Sequence, residues 1–287
     1  MALRTRARLV VINADDFGAS PGVTAGILRA HREGVVTSTT LMANLPDAAA
    51  AVARLGDAPA LGVGVHLNLV QGPPLSDGGR ALAGPDGQME RTAGQLFAAI
   101  LARPRLLDAV EAECDAQVRW LLDQGRRPTH LDSHRHVHGW GPVFGRVAAV
   151  ARRYHVPFVR RLREALPGAG WPTAAGTQRL VAALVNAFGA AQAAMAPELL
   201  AARGTWGVAH TGRIDVAWLV RAARAVRPGV WEIMTHPGAA EDAAGPVTRL
   251  RASRARELAA LCDPAVRRAF DRLHLRRVHY GQLENSL

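Results

Sequence analysis

Short apolar runs rich in Val, Ile and Leu alternate along the chain with longer Ala-, Leu- and Arg-rich stretches, whose apolar positions recur at helical spacing. Apolar runs of about four to eight residues are typical of buried strands. Strands are predicted at 9–12, 35–42, 61–67, 129–133, 156–160, 230–235 and 275–278. Helices are predicted at 21–33, 46–55, 92–124 with a break at Pro104, 142–153, 166–203 and from 247 onward.

Strands that alternate with helices favour a mainly parallel sheet with helices outside it. This many units in 287 residues fits an α/β fold of the TIM-barrel-like (β/α) type better than an open sheet. We therefore expect a single domain over residues 1–287. Ser20 followed by Pro21 predicts a helix N-terminus. The Gly- and Pro-rich residues 70–91 are too long for an ordinary connector and are predicted to form a lid or an insertion that lines a site.

The composition predicts a folded protein of the cytoplasm. With 49% hydrophobic and 21% charged residues, the chain can bury a large core. No apolar run approaches the roughly 18 residues of a membrane span, and the first one is too short for a signal peptide. Cys114 and Cys262 lie far apart, which excludes a cysteine zinc site and agrees with a reducing compartment.

The net charge of +11 comes entirely from arginine, because the chain contains no lysine. The arginines are scattered and aromatic residues make up only 5%, whereas a nucleic-acid-binding surface clusters its charge and interleaves aromatics. We therefore expect no nucleic-acid partner. The sequence also lacks a GxSxG nucleophile motif and the glycine-rich loops that hold nucleotides. Metal-assisted hydrolysis remains as the favoured chemistry.

Polar residues follow several of the predicted strands. Because the carboxyl ends of parallel strands face one crevice, residues distant in sequence can converge there. The candidates are Asp15, Asp16, His66, Asp132, His134 and His236.

Each candidate has an alternative interpretation when it is taken alone. Adjacent side chains of an extended segment point in opposite directions, so one of Asp15 and Asp16 can bind a metal while the other faces a substrate, but the pair equally suits a turn. His66 alone suits a core histidine, and His236 before Pro237 suits a turn. Together, Asp16, His66 and His134 make a set of three ligands, which is typical of catalytic metal sites.

Four histidines lie within the nine residues 130–138 and, together with Asp132, make five ionisable groups at a spacing of two. An extended segment would project them from one face together with Asp132, and Pro128 and the glycines after 138 leave little room for a helix. A solvated polar segment is the alternative. We predict a strand followed by a loop, with Asp132, His136 and His138 in contact with substrate.

Five motifs together resemble the YdjC-like carbohydrate deacetylase family, which includes chitooligosaccharide (diacetylchitobiose) deacetylases. They are ADDFGAS at 14–20, GVVTSTTLM at 34–42, GVHLNL at 64–69, THLDSHRHVH at 129–138 and MTHPG at 234–238. The resemblance implies a distorted (β/α) barrel that removes acetyl groups from N-acetylated sugars with one divalent cation, Mg²⁺ or Zn²⁺.

The resemblance also implies roles for individual residues. It assigns Asp16, His66 and His134 to the metal, Asp15 to the general base and His236 to the general acid. Arg160 corresponds to an arginine of the site and is predicted to contact substrate. Residues 167–204 and the last 45 residues match no motif, which leaves assembly open, with a homodimer as one possibility.

Two other functions compete with deacetylation. A metal-dependent hydrolase of another bond, such as a phosphoester or a different amide, would use the same ligands without releasing acetate. A sugar-binding barrel would keep its metal for structure only, and its ligand affinity would survive replacement of Asp15.

Overall fold

The computed structural model describes residues 6–89, 91–164, 176–239 and 250–283. Its strands form one parallel sheet in the order β4-β3-β2-β1-β6-β5, and β7 pairs with the beginning of β1. The strands are β1 (Arg8–Phe17), β2 (Ser38–Leu41), β3 (Gly62–Leu67), β4 (Leu131–Ser133), β5 (Thr205–Trp206), β6 (Gly229–Thr235) and β7 (Arg276–Arg277). The central strand β1 is buried from Leu9 onward, as expected of a parallel strand covered on both faces.

The sheet curls into a distorted (β/α) barrel that isolated bridges complete. Val159 pairs with Leu131 of β4, and Phe158 pairs with Leu200 on the other side. The backbone N–H of Thr205 at the start of β5 then donates to the carbonyl of Arg163 at 2.9 Å. The strand predicted at 156–160 therefore exists only as bridges. It includes Pro157, whose missing N–H removes one ladder bond.

Helices surround the sheet: α1 (Pro21–Arg32), α2 (Ala48–Ala53), α3 (Ala93–Ala102), α4 (Leu106–Asp123), α5 (Gly141–Arg153), α6 (Gly176–Met195), α7 (Val216–Ala225), α8 (Arg251–Cys262) and α9 (Pro264–Arg272). The prediction for α1 is confirmed, because the Ser20 hydroxyl accepts from the N–H of Val23 at 3.3 Å and Pro21 opens the helix. The break between α3 and α4 falls at Pro104, as predicted.

Several elements differ from the sequence prediction. Strand β1 continues to Phe17 instead of ending near Asn13, and strand β5 and helix α7 were not predicted. The helix predicted at 166–203 is described from residue 176, since 165–175 lie outside the described residues, and it ends at Met195, eight residues before the predicted end. Helix α8 begins at residue 251, and 240–249 also lie outside them. In the part of the chain that the structure describes, no helix combines the length and the apolar character that crossing a membrane requires.

The Gly- and Pro-rich segment 70–91 is fastened to helix α4. The buried carboxylate of Glu113 accepts from the backbone N–H groups of Leu75 and Ser76 at 3.0 and 2.9 Å. Gln117, one turn later, donates to the carbonyl of Asn68 and accepts from its N–H. The start of the segment thus has a fixed position beside the end of β3, and its role as a lid stays a prediction.

Helix α1 touches the loop after β6 backbone to backbone. A Cβ atom at Gly26 would lie 2.5 Å from the Cα of Gly238 and 2.9 Å from the nitrogen of Ala239. The N–H of Ala239 donates to the carbonyl of Gly22 at 2.9 Å. Only glycine at position 26 permits this approach.

Candidate active site

The three predicted ligands come together at the carboxyl ends of β1, β3 and β4. Oδ1 of Asp16 lies 3.3 Å from Nε2 of His66 and 3.1 Å from Nδ1 of His134. All three side chains are buried, and their ligand atoms lie within 4.8 Å of one another. One carboxylate oxygen and two imidazole nitrogens that converge in this way form a cluster that could hold a metal ion.

The backbone of β1 turns at Asp16 and separates the two adjacent carboxylates. Asp16 has a φ of 71°, in the left-handed region, and the register with β2 shifts between Ala14 and Phe17. Aspartate tolerates this conformation better than most residues. The irregularity aims Asp15 and Asp16 at different partners, which the sequence argument expected from simple alternation.

His66 is oriented by a second carboxylate. Its Nδ1 lies 2.7 Å from Oδ1 of Asp132, so Nδ1 carries the proton and Nε2 faces Asp16. Thr40 donates to the other oxygen of Asp132 at 3.2 Å. Burial disfavours the charged ring, but the carboxylates of Asp132 and Asp16 outweigh it and raise the pKa of His66 to about 10. A carboxylate that orients an imidazole in this way is typical of histidines that bind a divalent cation.

Metal affinity is expected to depend steeply on pH. With a pKa of about 10, His66 holds at neutral pH a proton that a metal must displace, so affinity falls as the pH is lowered. We expect Zn²⁺ binding to tighten about tenfold per pH unit between pH 6 and 8 and to release about one proton. Calorimetric titration in buffers of different ionisation enthalpy measures both quantities. An affinity that does not change with pH would contradict this assignment of the His66 proton.

Asp15 is held by a buried arginine. Arg160 donates from both terminal nitrogens to the two Asp15 oxygens at 2.8 and 2.7 Å, and it also pairs with Asp132 at 2.6 Å and with Glu232 at 2.7 Å. Burial would raise the pKa of Asp15, but Arg160 outweighs burial and lowers it. Asn13 adds a hydrogen bond of 2.8 Å to the same carboxylate. Asp15 is therefore ionised, and it lies beside the three candidate metal ligands.

His236 lies in the loop after β6 and is almost entirely buried. Its backbone N–H donates to Oε2 of Glu257 at 2.7 Å. Burial lowers the pKa of its ring to about 4, although Asp15 and Asp16 favour the charged form. The imidazole is therefore neutral at pH 7.

The other residues of the histidine run do not share one face. After β4 the chain turns through left-handed conformations at Arg135 and His136, so the extended projection predicted for this segment ends at His134. His138 is buried, with Nδ1 against the Ser133 hydroxyl and Nε2 against the carbonyl of Arg160 at 3.0 Å. His130 packs against Tyr280, with ring centroids 4.4 Å apart and the ring planes tilted by 35°.

Three of the four predicted substrate-binding residues, Asp132, His138 and Arg160, have protein partners in this structure. Asp132 and Arg160 are buried in the ion-pair network, and His138 uses both ring nitrogens, whereas His136 is half-buried. Asp132 orients the ligand candidate His66, and Arg160 holds Asp15. Substrate contact by these four residues stays a prediction.

Three charged residues of the site were missed by the sequence argument: Glu232, Arg254 and Glu257. Glu232 lies within β6, where an apolar run hides its role. Arg254 and Glu257 lie one helical turn apart on α8, and Arg254 contacts Oδ2 of Asp16. The dense charges at 249–257 were a signal, but nothing local to them indicates which element they face.

The fold and the site define the protein as a (β/α) barrel with a candidate metal centre at the carboxyl ends of its strands. The model of the family described as YdjC-like protein matches residues 9–272. The chain therefore belongs to the YdjC-like protein family, as its motifs indicated.

Curated relatives carry the name carbohydrate deacetylase. The one from Halalkalibacterium halodurans is 40% identical over 148 residues, which are 52% of this chain and 62% of the relative. The one from Geobacillus stearothermophilus is 44% identical over 160 residues, 56% of this chain and 62% of the relative. The matched region thus spans less than two thirds of these relatives.

One solved structure resembles the whole chain. It is a protein from Enterococcus faecalis V583, provisionally named a cellobiose-phosphate cleavage protein. It matches with a TM-score of 0.78 and 26% identity over 96% of this chain and 99% of that one. The similarity extends over nearly the full length of both chains and supports the fold seen in the described residues.

Proposed function

We propose that this protein is a metal-dependent carbohydrate deacetylase that hydrolyses the acetamide of N-acetylated sugars of the chitooligosaccharide type. The observation that carries the proposal is the buried cluster of Asp16, His66 and His134 with the ionised Asp15 beside it. The names of the curated relatives support the same activity. The cation, the sugar and the residue roles are parts of the proposal.

Asp16, His66 and His134 would hold the metal. A divalent cation bound there would act as a Lewis acid toward the acetyl carbonyl and would acidify water. Two imidazole ligands favour Zn²⁺ and its transition-metal neighbours over Mg²⁺, which prefers oxygen ligands. We propose Zn²⁺ as the better match to the donors, with Mg²⁺ as the alternative.

Asp15 would accept the proton of the attacking water. Its Oδ1 already accepts from Asn13 and Arg160, whereas Oδ2 accepts one bond, from Arg160. Because a carboxylate oxygen has two lone pairs, Oδ2 keeps one for that proton. Arg160 keeps Asp15 ionised before the reaction, so the base is ready at neutral pH.

His236 would deliver a proton to the departing amine, which leaves poorly as an anion. Since its pKa of about 4 makes the resting ring neutral, the proton that Asp15 takes from the attacking water would have to pass to His236 before the amine departs. The nearby carboxylates of Asp15 and Asp16 stabilise the charged ring once it forms.

Acetate release tests the proposal. The purified protein is incubated with N,N′-diacetylchitobiose and a panel of other acetylated sugars, with and without a chelator. We expect a chelator to abolish acetate release and added Zn²⁺ to restore it. Asp16→Ala is expected neither to bind metal nor to release acetate. The matched control is Asp47→Asn, a half-buried carboxylate outside the site.

A phosphorylated disaccharide belongs in the same panel, because the similar Enterococcus structure is named for cellobiose-phosphate cleavage. Phosphate release without acetate would favour hydrolysis of another bond. Sugar binding without any product, unaffected by Asp15→Asn, would favour the binding barrel. The cytoplasmic location and a homodimer stay predictions.

A further inference from the structure

The two oxygens of the metal-ligand candidate Asp16 have different partners. Oδ1 faces His66 and His134, at 3.3 and 3.1 Å. Oδ2 is contacted by a terminal nitrogen of Arg254, which lies on helix α8 in the C-terminal part of the chain. Both side chains are almost fully buried, at 1% exposure each. One oxygen of the Asp16 carboxylate therefore faces the two histidines, and the other oxygen contacts a guanidinium.

Arg254 is held in this position by its own helix. Its carbonyl accepts from the N–H of Gly238 at 3.3 Å, and Glu257, one turn later, accepts from the N–H of His236 at 2.7 Å. Glu257 also accepts from the N–H of Gly212 at 3.1 Å. Helix α8 is thus bonded to the His236 loop through two groups, and it carries the buried guanidinium to Asp16.

A carboxylate can give a metal one or both of its oxygens. A cation that approached Oδ2 would meet the positive charge of Arg254, which at this depth is weakly screened. Among the described residues, the contacts of Oδ1 are with the imidazoles of His66 and His134. A catalytic site needs few protein ligands, so that coordination positions remain for reactants.

We propose that Arg254 is a positioning residue that reserves Oδ2 of Asp16, so that Asp16 offers a metal one oxygen and the cluster offers three protein donor atoms. This inference rests on the proposed function, because it assumes that the cluster holds a metal. It gives helix α8 a role in setting the number of protein donor atoms that a metal would meet.

Cobalt is the probe for this role, because its visible absorption weakens as its coordination number rises. Metal-free protein is titrated with Co²⁺ alone, without sugar. In Arg254→Met, the freed Oδ2 can also bind, so we expect a weaker band than in the wild type and roughly tenfold tighter Co²⁺ binding, because a nearby positive charge is lost. Turnover of the Co²⁺ form falls in parallel.

Arg254→Gln separates the hydrogen bond from the charge. It keeps an N–H donor for Oδ2, so its band stays like that of the wild type while Co²⁺ binding tightens. Arg256→Met, an exposed arginine on the same helix, is the matched control and changes neither quantity. If Arg254→Met does not fold by circular dichroism, Arg254→Gln carries the test through its tighter binding.

A wild-type band and an unchanged or weaker affinity in Arg254→Met overturn this inference and leave the proposed function intact. The same holds for an unchanged affinity in Arg254→Gln when that variant carries the test. A wild-type protein that binds no Co²⁺ overturns the proposed metal dependence, and the inference falls with it.

Discussion

Asp15→Asn is expected to lower the rate of acetate release about 10³-fold while leaving metal binding unchanged, because a positioned general base contributes roughly 10²- to 10⁴-fold. The amide has the shape of the carboxylate but cannot take a proton from water at neutral pH. Asp15 is not among the three proposed ligands, so the cluster around Asp16 stays complete. The measurements are kcat for acetate release and Zn²⁺ content after dialysis.

The control for this experiment is Asp47→Asn, which makes the same chemical change at a half-buried carboxylate that accepts from the Thr24 hydroxyl. It should retain full activity and metal. The assignment of Asp15 fails if Asp15→Asn keeps more than about a tenth of the activity, since a lost base costs more than that. Loss of metal together with activity would instead make Asp15 a ligand.

Arg160→Met is expected to lower the free energy of unfolding by about 3–5 kcal/mol, a large share of the roughly 5–15 kcal/mol that stabilises most domains. Three buried carboxylates, those of Asp15, Asp132 and Glu232, lie within 2.7 Å of its guanidinium. Breaking a buried pair leaves charge uncompensated, which costs more than the pair itself contributes. Urea denaturation at pH 7 measures the loss.

The pH dependence of this loss has a definite sign. Without Arg160, burial raises the pKa values of these carboxylates. A protein that contains such groups loses stability as the pH rises through their folded pKa values. The deficit of Arg160→Met should therefore be larger at pH 8 than at pH 5. Arg163→Met, an exposed neighbour, should stay within about 0.5 kcal/mol of the wild type. Equal denaturation midpoints for Arg160→Met and the wild type would contradict the argument.

Much of the barrel could be predicted from the sequence because each buried parallel strand appears as a continuous apolar run. The runs at 9–12, 61–67 and 230–235 all became strands. The ring closure was harder, since β5 has only two residues, Thr205–Trp206, and the strand predicted at 156–160 exists only as bridges. The sequence does contain a feature that indicates helix α7, because Asp215 is a typical N-cap residue and its side chain caps the helix. No long apolar run comes shortly before it, so the alternation of strands and helices did not reveal it.

The candidate site was predictable to the extent that its residues follow strands. Asp16, His66 and His134 satisfy that rule, and the structure brings them together. Arg254 does not, because a helix residue reaches the site only through the packing of α8, which no local pattern describes. The partners of Arg160 could not be predicted either, since its carboxylates come from three different strands.

The contact between Gly26 and Gly238 links the orientation of His236 to a helix on the outside of the barrel. Position 26 cannot gain even a methyl group without pushing the two backbones apart, whereas a Cβ atom at position 238 would meet the Arg254 side chain at 3.1 Å. A change on the surface helix would thus be transmitted directly to the imidazole, with no side chain in between to absorb it. The absence of a side chain at position 26 thus helps to set the place of the His236 loop, although this glycine performs no chemistry.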